Sequence, residues 1–126
     1  MKRFWIGLGL LVLIWVAGLW TTSRLEDTHS TITRQLEQSA DAAQAGHWFR
    51  ADALAEDAFR MWQEGWDLSA ALADHTVLDE IDGLLAQADV YRNNREPVSY
   101  AAICARISQA IDALQESHRL TLRNLL

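Results

Sequence analysis

From Phe4 to Trp20 the chain runs 17 residues, FWIGLGLLVLIWVAGLW, without one polar or charged side chain. Hydrocarbon offers no water to a peptide group, so a stretch this apolar satisfies its own hydrogen bonds by becoming a helix. At 1.5 Å per residue the helix rises about 25 Å, close to the thickness of a bilayer core. Thr21, Thr22 and Ser23 lengthen it without adding charge. One end of the molecule is therefore fixed before the rest is considered.

Met1-Lys2-Arg3 ahead of an apolar run also opens a secretory signal peptide. Cleavage would need small residues at the two specificity positions, and Val16-Ala17-Gly18 before Leu19 is a mediocre site. The apolar run also outlasts a typical signal core of about 15 residues. Trp20 stands where an interfacial aromatic belongs. The expectation is an uncleaved, single-pass signal anchor. Residues 1–3 are its basic flank, 4–22 the transmembrane segment and 23–126 an extracytoplasmic domain. Lys2 and Arg3 place the N-terminus in the cytoplasm, since positive residues stay inside. Lys2, Arg3 and Trp20 are the membrane-interface residues. Gly18 and Thr22 make a small-xxx-small pair that leaves a homo-oligomer open.

The remaining hundred or so residues suffice for one domain with a modest core. They are rich in Ala, Leu, Gln, Glu and Arg, which favours helix over sheet. Cys104 is alone, so no internal disulfide can form, and its apolar neighbours Ile103 and Ile107 suggest a buried thiol. Charge is uneven. Asp52 to Asp89 carries ten acids against the single base Arg60, whereas Val90 onward has five bases and three acids. Nucleic acid and anionic lipid headgroups are poor partners for the acidic centre, because like charges repel.

Four amphipathic stripes follow the anchor. The first (Leu25, Thr28, Ile32, Leu36, Ala40, Ala43) can continue the anchor as one rod and stops at Gly46, a good residue just past a helix end. The second runs from Trp48 through Ala51, Ala55, Ala58 and Trp62 to Leu72, with Gly65 marking a bend or a close contact. Thr76-Val77-Leu78-Asp79 has the spacing of a capping box before the third (Leu78, Ile81, Leu84, Leu85, Ala88). Pro97 is placed to open the fourth (Tyr100, Ile103, Ile107, Ile111, Leu114). Short links make successive helices antiparallel, so the fold is expected to be all-α, two hairpins forming a small bundle or a tetratricopeptide-like array. Ala51 with Ala101 and Ala55 with Ala105 hint at a repeat of fifty residues, though two units do not establish a period.

Few residues suggest chemistry. Asp74-His75 with Asp79 and Asp82 is the one cluster resembling a site, but capping explains it without a metal and no second His lies at ligand spacing. Trp62 and Trp66, four apart, share a helix face and are core or the wall of a groove. No nucleophile elbow or phosphate loop is present.

Gly46-His47-Trp48, the pair Trp62 and Trp66, Asp74-His75 before Asp79-Glu80-Ile81, and the closing Asn124-Leu125-Leu126 together resemble domain-of-unknown-function family 4363. The likeness spans nearly the whole chain. It departs from the family pattern where Thr76-Val77-Leu78 separate His75 from the acid–Ile step. The resemblance implies a small membrane-anchored helical protein of spore-forming Firmicutes and supplies no activity. The chain is expected to be no enzyme and to need no cofactor or metal. Its outer domain is expected to act as a protein–protein interaction module for an envelope or membrane protein. Trp62, Trp66, Asp67, Asp74, His75, Asp79 and Asp82 are the contact candidates. A small-ligand-binding or sensory helical domain is the alternative.

Overall fold

Helix α1 runs from Lys2 to Gln44 without interruption, 43 residues that make the apolar stretch and the first amphipathic stripe one rod. At 1.5 Å per residue it is about 65 Å long. In the computed structural model residues 1–72 and 75–125 are described, with the side chains of all these except 21–26, 68, 69, 72, 118, 121, 122 and 125. Lys2–Trp20 is long and apolar enough to cross a membrane, with mean hydropathy 1.8 and no part of it buried in the fold. The expected interface residues Lys2, Arg3 and Trp20 are all exposed along it.

After α1 come α2 (Trp48–Glu64), α3 (Trp66–Leu72), α4 (His75–Asn93) and α5 (Pro97–Leu125). Among the described residues everything else is turn or cap. The all-α expectation holds, and two hairpins, α1–α2 and α4–α5, make the body. Gly46 closes α1 at φ +81°, with the His47 N–H on the Ala42 carbonyl at 2.8 Å and the Gly46 N–H on Ala43 at 3.1 Å. This is the Schellman arrangement, in which a left-handed residue is easiest for glycine. The same closure ends α4, but there the left-handed residue is Arg95, at φ 55°. The Glu96 N–H reaches Tyr91 at 3.0 Å and the Arg95 N–H reaches Arg92 at 3.2 Å. Pro97 opens α5 as expected, since its missing N–H would have had no helical partner.

Two expected boundaries shift. α4 begins at His75, so Thr76 lies inside the first turn rather than capping it; Asp74 falls outside the described residues. α2 stops at Glu64, and Gly65 joins it to α3 at φ −89°, an angle any residue adopts. A Cβ there would stand at ordinary distance from the Met61 carbonyl, 3.5 Å. The bend at Gly65 is real, but a close contact is not its cause.

α1 packs on α2 and on α5, and α5 packs on α4. The α2 face is almost all alanine: Ala51, Ala55 and Ala58 are fully buried. Small side chains let α2 lie close against Ile32, Leu36 and Ala43 of α1, while the larger Tyr100, Ile103, Ile107, Ile111 and Leu114 of α5 fill the other side. Ser39 ties three helices. Its hydroxyl donates to the Ala51 carbonyl at 2.6 Å, which leaves the buried Tyr100 hydroxyl to donate to Ser39 Oγ, also at 2.6 Å. Burial raises the Tyr100 pKa and pushes the adjacent Cys104 thiol up to about 11, so that sulfur sits as an unreactive core group.

The hairpins repeat each other, but not at fifty residues. Matching closures at Gly46 and Arg95 set the offset at 49. It superposes Ile32 on Ile81, Leu36 on Leu85, Ala51 on Tyr100, Ala55 on Cys104, Ala58 on Ile107 and Trp62 on Ile111, all buried. Ala101 is only half-buried and Ala105 is exposed, so the alanine coincidence was one residue out of register.

Candidate functional site

α2 and α4 do not pack along each other's length. Polar clips join them at both ends, with an open groove between. The far clip is ionic. The Asp52 carboxylate on α2 accepts two bonds from Arg95, at 2.9 and 3.1 Å, and one from Arg92 on α4 at 3.0 Å. Arg92 also donates to Asp89 at 2.8 Å and lies over the Phe59 ring, 5.9 Å from its centre. Arg95 lies 5.0 Å from the Trp48 ring centre. Two guanidinium bonds of this kind, with a ring beneath, hold Arg95 in its left-handed backbone conformation.

The bonds from Arg95, joined by those from Arg92 and opposed by partial burial, hold the Asp52 carboxyl below its ordinary value of 3.8. A lowered pKa gives stability that is present above 3.8 and lost as pH falls through the folded value below it. Asp52→Asn is therefore expected to cost about 1.5–3 kcal/mol at neutral pH, the range for hydrogen bonds to charged groups. The gap from the native chain should narrow in urea melts taken below about pH 4. A gap constant down to pH 2 would show that Asp52 acts by packing rather than by charge.

The near clip is aromatic. Trp62 donates its indole N–H to Asp82 Oδ1 at 2.7 Å and Trp66 donates to Oδ2 at 3.1 Å, so one carboxylate receives two indoles from α2 and α3. The buried His29 of α1 lies against Trp62, ring centres 6.0 Å apart, and His75 lies against Trp66 at 5.9 Å. Trp62 and His29 are the core residues of this set, each 2 % exposed, and Trp66 is half-buried.

Between the clips the groove holds about 600 Å³. Phe59, Trp62, Gln63 and Trp66 form one wall and Asp82, Leu85, Ala86 and Asp89 the other, with Asp67 at the rim. Three carboxylates and three aromatic rings line it, and no basic residue does. Of the contact candidates, Trp62, Trp66, His75 and Asp82 come together and Asp67 joins the lining. Asp79 is exposed on α4 and takes no part in the lining. Asp74 lies outside the described residues. Asp89 and Phe59 line the groove without having been singled out. Asp89 carried a signal, its i,i+3 pairing with Arg92, whereas Asp52 and Arg95 lie 43 residues apart and no local pattern joins them. Among the described residues, no three His, Cys, Asp or Glu side chains group as a metal site would require.

The fold and groove define a small all-helical domain on a helix whose first half is long and apolar enough to cross a membrane. Residues 19–125 match the family described as domain of unknown function (DUF4363), and the chain belongs to that family. Searches of curated proteins and of solved structures each returned no match.

Proposed function

We propose that this protein is a membrane-anchored interaction module whose groove takes a basic segment of an envelope or membrane protein. The observation that carries the reading is the groove lining, which sets Asp67, Asp82 and Asp89 beside aromatic rings, with Arg92 paired to Asp89 behind them as the adjoining base. Arginine and lysine side chains suit such a lining twice, through the exposed Asp67 carboxylate at the rim and through the half-buried Trp66 ring. In this reading Lys2–Trp20 spans the membrane, Lys2 and Arg3 stay in the cytoplasm, and the domain stands outside. His29, which lies against Trp62, is nine residues beyond Trp20, so the groove sits about 14 Å above the apolar stretch. That height suits a partner segment leaving the same membrane. The role is binding rather than catalysis.

A photo-activated cross-linker at the exposed Gln63, in the full chain in intact cells, tests this. The expected product is one envelope or membrane protein joined through a basic segment, lost in Asp67→Lys and in Ala86→Lys. Cross-links that persist in both variants, or none above background, would overturn the reading. A small molecule that raises the melting temperature would then favour the ligand-binding alternative.

A further inference from the structure

We propose that the C-terminal turns of α5 rest on anionic lipid headgroups of the leaflet from which α1 emerges. The inference rests on the reading that Lys2–Trp20 spans a membrane. α1 and α5 run antiparallel, and the Ser39–Tyr100 hydrogen bond fixes their register. From Ser39 back to Trp20 is nineteen residues, and from Tyr100 forward to Arg119 is nineteen residues, so each helix descends about 28 Å. Arg119 therefore stands at the height of Trp20, the residue placed at the membrane interface.

Among the described side chains of α5, Leu114 is the last buried apolar one, at 2 % exposure, while Leu120 is 53 % exposed. Asp112, Glu116, Arg119, Leu120 and Arg123 share one face of the helix, which lines a shallow depression of its own. Along that face the charge changes sign in the direction of descent, with Asp112 and Glu116 above and Arg119 and Arg123 below. A helix end lowered onto an anionic surface needs that order. Arginine there gains bidentate phosphate contacts, and its long stem lets the charge stay in the headgroup layer while Leu120 meets the acyl boundary. Each such arginine multiplies the population at an anionic surface by about five.

Spin labels read the depth directly. The full chain is reconstituted in phosphatidylcholine vesicles with and without phosphatidylglycerol, carrying one label at Leu120→Cys, Ala86→Cys or Ile14→Cys. Cys104 is buried and is left in place. With phosphatidylglycerol, collisions of the Leu120 label with an aqueous nickel complex should fall several-fold below those at Ala86, which faces the groove. Arg119→Gln with Arg123→Gln should restore them. A Leu120 label as wet as the Ala86 label, or equally shielded with and without anionic lipid, would overturn the inference. A wet label at Ile14 would overturn the spanning helix instead, so the two failures are told apart.

Discussion

Replacing Trp62 by Ala is expected to destabilise the domain by about 3–5 kcal/mol, the cost of emptying a large buried aromatic site. In a domain of this size that is a fall in melting temperature of roughly 15 °C or more. Trp62 is 2 % exposed, lies against His29, and bridges the hairpins through its bond to Asp82. Truncation therefore opens a cavity and removes the stronger of the two indole donors from one carboxylate. Trp62→Phe separates these effects, keeping most of the volume while losing the hydrogen bond, and should cost about 1–2 kcal/mol. Thermal melts followed by circular dichroism give both numbers. A near-neutral Trp62→Ala would place the ring on the surface and undo the near clip.

Ala55→Pro should abolish the folded domain. Ala55 is fully buried in the interior of α2. Proline there removes its N–H bond and drives its ring against the carbonyl four residues back, a cost of about 3 kcal/mol or more. That carbonyl belongs to Ala51 and already accepts the Ser39 hydroxyl, so the clash also strikes the tie joining α1, α2 and α5. Against a total stability of about 5–15 kcal/mol the combined loss is decisive. Ala55→Gly, at about 1 kcal/mol, serves as the control that keeps the bond. An unchanged urea transition for the proline variant would refute α2 as drawn.

Much of the helical plan was legible because local chemistry dictates it. Gly46 and Pro97 mark ends where backbone geometry leaves little choice, and the stripes through Ile32, Leu36, Leu78 and Ile81 name the buried faces. The fifty-residue spacing of the alanines matches letters and not environments. Ala55 corresponds to Cys104 and Ala58 to Ile107, so the small side chains of α2 are answered by large ones on α5 and burial alone is conserved between hairpins. The aromatic end of the groove could be sensed from Trp62, Trp66 and Asp82, which lie within about twenty residues of one another. The ionic end could not. Asp52 reads as one acid among ten until the fold carries Arg95 to it, and nothing about Arg95 announces a left-handed backbone.

The unbroken α1 makes the bearing of the domain a property of its own apolar first half. Each helical residue turns the chain by about 100° and lifts it 1.5 Å. Adding one residue between Trp20 and Asp27 would barely raise the groove, yet would swing it more than a quarter turn around the axis. Whatever sets the azimuth of the apolar half, a neighbouring helix at Gly18 for instance, thereby aims the groove, as a shaft aims the vane fixed to it.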